Sequence, residues 1–333
     1  MQIRILKPGM LSTIQDQGRL YHLSQAVPLS GAMDPLSARI ANIALGNAET
    51  AAILEFTYGA ASFRAETDLL IAFAGAGAAL KADGICLPMK RPVFIPSGMT
   101  LTLSNTTSGL RTYLAIAGGW DIPQVLGSRS TYLPAAFGGY KGRALKKGDL
   151  LNNTSEISSA TATLLSQLRG DQLSWTNWSI PRTLFLANEP GLIRIVPGHE
   201  FAWFDAQSII SLLTDTFYLD LNSNRMGCQL KGPPIKRSVP QELISTAVGP
   251  GTIQVSGDGT MILLMADCQT TGGYPRIAQV AAADLPRCAQ LRPGDPIRFI
   301  EISSSEAEIL YLEQEKHLAR LRSAVTLKIT GKS

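Results

Sequence analysis

The run ADCQTTGGYPRIA, residues 266–278, places an acid, an amide and two hydroxyls within five positions, at Asp267, Gln269, Thr270 and Thr271. A carboxylate accepts hydrogen bonds, an amide both donates and accepts, and a hydroxyl does either. Such a set suits a substrate that is itself an amide or carries a carboxyl group. Asp267, Gln269 and Thr270 are the candidate catalytic residues, and Thr271 is a candidate substrate contact. Other short stretches offer matching chemistry. STIQDQGR supplies Gln15, Asp16 and Arg19, PLSGAMDPLSARIANIALGN supplies Ser30 and Asp34, VLGSRST supplies Arg129 and Ser130, and NSNRMG supplies Asn224 and Arg225. These are the candidate substrate-binding residues, and the Arg129 guanidinium is suited to a two-point grip on a carboxylate. Each stretch also has a plain structural reading as a cap or a turn.

Familiar catalytic signatures are missing. There is no GxxxxGK[ST] phosphate loop, so Gly138–Arg143 reads as a glycine-rich turn, and no GxSxG nucleophile elbow. His22 and His199 each follow turn residues and are candidate general bases. With three histidines in all, and four cysteines (Cys86, Cys228, Cys268, Cys288) that form no CxxC pair, no metal centre and no disulfide frame are expected.

The elements that must position these groups are mostly strands. QIRIL, LLIAFAGA, PVFIP, TLTLSN and RTYLAIAGG read as strands in the first half, and LIRIV, FYLDL and DPIRFIEI in the second. GTIQVSGDGTMILLMAD reads as a hairpin turning through Ser256–Gly259, so that a buried strand leads into Asp267. Asp34 as N-cap, Pro35 at the first helical position and Gly46–Asn47 as a stop predict a helix over LSARIANIAL. Asn42, eight residues after Asp34, falls near the same face. Further helices are predicted near 155–168, 202–213 and 305–321. An echo links the halves: IRILKPG with IRIVPG, SGMTLTLSNTTSGLRTYLAIAGG with GPGTIQVSGDGTMILLMADCQTTGG, and LKKGDLL with LRPGDPI. It predicts two related β-rich domains joined between 152 and 190: residues 1–165, residues 190–302, and a C-terminal helix and tail over 303–333.

A chain of 333 residues with 45% hydrophobic residues has material for two cores. Charged residues make up only 17%, against about 25% in ordinary soluble domains, so a partner protein or a second copy is expected to cover part of the surface. The basic pairs Lys90-Arg91, Lys146-Lys147 and Lys236-Arg237 are scattered, the net charge is +4, and no nucleic-acid partner is expected. The longest apolar run, 69–80, is too short for a bilayer, and no secretory leader pattern opens the sequence. A cytoplasmic protein without membrane association is the expectation.

Taken together and in order, TIQDQGR, SGAMDPLSARIANIALGN, AILEFTYG, YLAIAGGWDIPQVLGSRST, SNRMG and QTTGGYP resemble the family that holds the C subunit of 5-oxoprolinase, the sporulation protein KipA, allophanate hydrolase subunit 2 and the biotin-dependent carboxyltransferase domain of urea carboxylase. The resemblance runs from Ile3 to about Phe299. It implies a mainly β fold of two tandem cyclophilin-like β-barrels with a few short helices, and chemistry in a cleft between them. It implies an enzyme component that acts with the A and B subunits of 5-oxoprolinase, the latter KipI-like, and opens 5-oxo-L-proline to L-glutamate using ATP. The alternatives are a carboxyltransferase component taking its carboxyl group from carboxybiotin, and a KipA-like regulator without catalysis.

Overall fold

The computed structural model describes residues 1–181, 191–239 and 241–330. The fold is mainly β, and the chain divides into two compact units. The first comprises Met1–Gly18, Asp34–Phe185 and Lys316–Ser333; the second comprises Arg19–Met33 and Leu186–Glu315. Part of the expected 152–190 join, residues 182–190, lies outside the described residues.

Among the described residues the first unit carries twelve strands: β1 (Gln2–Pro8), β2 (Leu11–Gln15), β3 (Ile53–Thr57), β4 (Ala61–Ala65), β5 (Leu69–Gly75), β6 (Ala78–Ala82), β7 (Ile85–Cys86), β8 (Val93–Ile95), β9 (Thr100–Asn105), β10 (Arg111–Ile116), β11 (Leu150–Asn152) and β12 (Ser174–Trp175). They form two six-stranded sheets, ordered β11-β1-β4-β9-β6-β7 and β12-β8-β5-β10-β3-β2. In β1, β6 and β9 burial alternates residue by residue, the mark of a sheet with one wet face. Ile3, Ile5, Leu80, Leu101 and Leu103 from the first sheet meet Leu54, Phe56, Ile71, Phe73 and Leu114 from the second in one core. Strands β5 and β10 are buried almost without interruption, because helix α1 (Pro35–Ala44) packs on both. Helix α1 begins where expected: Asp34 Oδ1 accepts from Ser37 N–H at 2.8 Å, and Pro35 occupies the first turn. It stops at Gly46, whose φ of +70° few other residues tolerate. Helix α2 (Ser159–Leu168) realises the helix expected at 155–168.

In the second unit β13 (Leu192–Pro197), β14 (Phe217–Leu219), β15 (Gly227–Lys231), β17 (Thr252–Val255), β18 (Met261–Leu264), β20 (Arg276–Val280) and β21 (Pro296–Glu301) close into a seven-stranded barrel, ordered β13-β20-β17-β18-β15-β14-β21. A separate two-stranded ribbon joins β16 (Thr246–Ala247) to β19 (Thr271–Gly272). Helices α3 (Ala206–Thr214), α4 (Leu285–Cys288) and α5 (Ser304–Thr330) complete the chain. The expected hairpin is β17–β18, with Ile253 opposite Leu263. The sequence echo holds only in part. Strands β9 and β10 go to different sheets across 106–110, whereas β17 and β18, joined by a tight turn, pair directly.

Candidate functional site

The candidate residues fall into two groups, one in each unit. In the second unit, strand β18 runs on through buried Met265 and Ala266 and delivers Asp267 to the interior, 2% exposed. Arg225 meets it there with two contacts, Nε to Oδ2 at 2.7 Å and Nη2 to Oδ1 at 3.2 Å. The same Nη2 donates to the Gly31 carbonyl at 2.6 Å, and the Asp267 N–H donates to the Arg225 carbonyl at 2.8 Å. A buried acid, a buried guanidinium and the loop 19–33 are thereby tied at one point. Arg19 closes that loop from its other end, its backbone N–H donating to the Leu29 carbonyl at 2.7 Å. Between these two anchors Ser30 is buried, with φ of +55°. Asn224 is a turn cap: its Oδ1 accepts from the N–H groups of Met226 and Gly227.

Past Asp267 the chain returns to the surface. Gln269 and Thr271 are exposed and Thr270 half-buried, and the Thr270 carbonyl accepts from Val248 N–H at 3.0 Å. Gly272 leaves no open space beside this stretch. A Cβ there would lie 2.6 Å from Gln254 Nε2, so this glycine admits a side chain of the protein itself.

In the first unit the organising group is Asp16. Its Oδ1 accepts from Gly18 N–H (2.8 Å), Ser128 Oγ (2.6 Å) and Ser130 Oγ (2.6 Å), and its Oδ2 accepts from Arg129 N–H at 2.5 Å. The carboxylate thus folds the 128–130 turn around itself. Arg129 is half-buried, with Nε donating to the Ile122 carbonyl at 2.9 Å; its two terminal amino groups carry no hydrogen bond among the described residues. A guanidinium anchored at its root and open at its tip can receive an anion without first being ordered. Gln15 is fully buried and donates to Thr13 Oγ1 at 3.0 Å, while its Oε1 has no partner among the described residues. Asp34 serves as the cap of α1, and its N–H donates to Tyr113 Oη at 2.8 Å.

Two clusters escape a reading of the sequence. Tyr113 Oη donates to Glu55 Oε2 at 2.8 Å, both residues being buried. Burial pushes the Tyr113 phenol well above its ordinary value, and the Glu55 and Asp34 carboxylates push it further. In the second unit Glu200, 2% exposed, accepts from Arg276 Nε at 2.7 Å, Nη2 at 2.6 Å and the Arg276 N–H at 3.0 Å. Those bonds hold the Glu200 carboxyl at about 2. His199 Nδ1 lies 3.0 Å from Glu200 Oε1, beside a cleft of about 360 Å³ that Arg276, Thr252 and Gln279 also line. The only trace in the sequence is the His199-Glu200 pair, since Arg276 lies 76 positions away. His22 is tied to Gln25 at 2.9 Å. Among the described residues no group of three or more His, Cys, Asp or Glu side chains is placed to hold a metal ion, and no helix is long and apolar enough to cross a membrane.

Comparison with known proteins gives a consistent result. The family model for "Carboxyltransferase domain, subdomain A and B" matches residues 25–301. The C subunit of the 5-oxoprolinase of Escherichia coli is 38% identical over 96% of this chain and 97% of its own length; that of Haemophilus influenzae is 34% identical over 98% and 99%. The urea amidolyase of Saccharomyces cerevisiae is 33% identical over 94% of this chain, which covers 17% of that protein. Among solved structures, the urea carboxylase of Kluyveromyces lactis superimposes with a TM-score of 0.85 at 29% identity, over 96% of this chain and 29% of that one.

Proposed function

The chain belongs to the carboxyltransferase domain family, subdomains A and B, and from that premise we propose that it is the C subunit of a 5-oxoprolinase, acting with partner subunits to open 5-oxo-L-proline to L-glutamate with hydrolysis of ATP. The observation that carries this reading is the end-to-end match to the Escherichia coli protein of that name, 38% identical over 96% of one chain and 97% of the other. The partners are the A and B subunits, the latter KipI-like, and the complex is cytoplasmic.

ATP finds no fitting site in the glycine-rich loop at 138–143. A Cβ at Gly139 would lie 1.8 Å from Thr131 Oγ1, and one at Gly142 would lie 2.0 Å from the Ala136 carbonyl. Those glycines make room for the protein's own chain, not for a phosphate. ATP acts through the complex, and this chain's part in it is to hold the substrate. In the first unit Arg129 is the candidate anion-binding group, through its open terminal amino groups. Gln269 and Thr270 meet the ring amide, which both donates and accepts. Asp267 acts through Arg225, keeping the 19–33 loop in place.

A second reading, carboxyl transfer from carboxybiotin to urea or a similar acceptor, is favoured by the TM-score of 0.85 to the Kluyveromyces lactis urea carboxylase. The two separate in one experiment: the purified chain, mixed with its partner subunits, is given 5-oxo-L-proline and ATP without biotin, and loss of the lactam is followed. Turnover without biotin supports the first reading; turnover of urea only with a biotinylated partner supports the second.

A further inference from the structure

Nine non-glycine residues among those described adopt positive φ: Ala26, Ser30, Tyr58, Ala60, Asp83, Lys90, Leu126, Ala136 and Lys141. Ser30 alone among them is buried, at 3% exposure. Left-handed backbone strains any residue with a Cβ, and burying a hydroxyl without a partner adds a second cost. Ser30 carries both, for its Oγ has no hydrogen-bond partner among the described residues. Glycine would relieve the strain and leave no orphaned hydroxyl, so neither local conformation nor internal bonding calls for serine.

The surroundings keep this conformation in place. The carbonyl before Ser30, that of Leu29, accepts from Arg19 N–H at 2.7 Å, and the carbonyl after it, that of Gly31, accepts from Arg225 Nη2 at 2.6 Å. Arg225 is itself fixed by its two contacts to Asp267. A strained residue over-determined on both sides is the arrangement that persists at ligand sites.

We infer that the Ser30 hydroxyl is a substrate-binding group, completing its hydrogen bonding with an oxygen of the bound cyclic amide, and that Arg225 and Asp267 are positioning residues for it. This rests on the proposed 5-oxoprolinase function. The ligand supplies what the folded chain withholds: a partner for a pre-oriented hydroxyl that loses no rotational freedom of backbone on binding.

The test uses the assembled complex with Ser30→Gly and Ser30→Ala, measuring KM and kcat for 5-oxo-L-proline and the thermal midpoint of the isolated chain. Both variants lack the hydroxyl, so both should raise KM roughly tenfold, the worth of about one hydrogen bond, with a smaller change in kcat. Ser30→Gly should unfold no earlier than the parent chain, because it removes strain. A Ser30→Gly complex with parental KM would overturn the inference while leaving the function standing. So would a KM that rises in Ser30→Ala alone, since it would then follow backbone strain. If the parent complex leaves 5-oxo-L-proline intact, the proposed function fails and this inference falls with it.

Discussion

Arg225 and Asp267 grip each other at two points, 2.7 and 3.2 Å apart, at 5% and 2% exposure, and the same guanidinium holds the Gly31 carbonyl. Two buried charges that satisfy one another tolerate loss of both better than loss of either. Asp267→Asn should therefore destabilise the isolated chain by about 3–5 kcal/mol, whereas Arg225→Met with Asp267→Leu should recover most of that loss. Urea unfolding of the three proteins decides it. A single substitution costing under about 1 kcal/mol would show the pair to be incidental.

Arg129 presents terminal amino groups with no hydrogen bond among the described residues, on a turn built around Asp16. In the assembled complex Arg129→Ala should raise KM for 5-oxo-L-proline roughly ten- to a hundredfold, and Arg129→Lys should restore part of the affinity as a point charge without the fork. Its thermal midpoint should stay near that of the parent. Unchanged KM in Arg129→Ala would remove Arg129 from the site.

Gln269 is exposed and Thr270 half-buried, just beyond the fixed Asp267. Gln269→Ala and Thr270→Val should lower turnover by the complex roughly ten- to a hundredfold, the worth of one polar contact of about 1–3 kcal/mol felt in the transition state. Folding and assembly with the partners should be untouched, as read by circular dichroism and size-exclusion chromatography. Full activity in both would make the stretch a turn and nothing more.

Glu200 predicts a pH dependence. Arg276 lowers its carboxyl from the ordinary 4.5 to about 2 in the folded chain. A carboxyl depressed by folding stabilises the fold above its unfolded value, and that stability is lost as pH falls from about 4.5 towards 2. Arg276→Ala removes the cause, so its acid unfolding should begin at higher pH than in the parent. Superimposable acid titrations by far-ultraviolet circular dichroism would refute the assignment.

Much of this architecture is legible in residue order because it depends on local chemistry. Asp34 and Pro35 start a helix through a cap and a preset φ, and alternation in QIRIL and TLTLSN marks strands with one buried face. Strand β3, ILEFT, hides because Glu55 breaks its apolar run; only the fold reveals that this acid is buried against Tyr113. Arg225 and Asp267 each stand out as polar residues beside turns, but their pairing spans 42 positions and is set by barrel register, Gly227 lying opposite Leu264. Gly272 carries no side chain, and what fills the space beside it is Gln254, a neighbour no local pattern identifies. The positive φ of Ser30 has no signature in its side chain at all.

Whether this chain completes a 5-oxoprolinase is the central question, and the most direct measurement is lactam loss in a reconstituted mixture. The chain alone, the partner subunits alone and all three together are each incubated with 5-oxo-L-proline and ATP, with glutamate and inorganic phosphate quantified. ATP-dependent glutamate formation is expected only when all three are present, with phosphate released alongside it. Equal glutamate formation by the partners without this chain, or by this chain without them, would contradict the assignment.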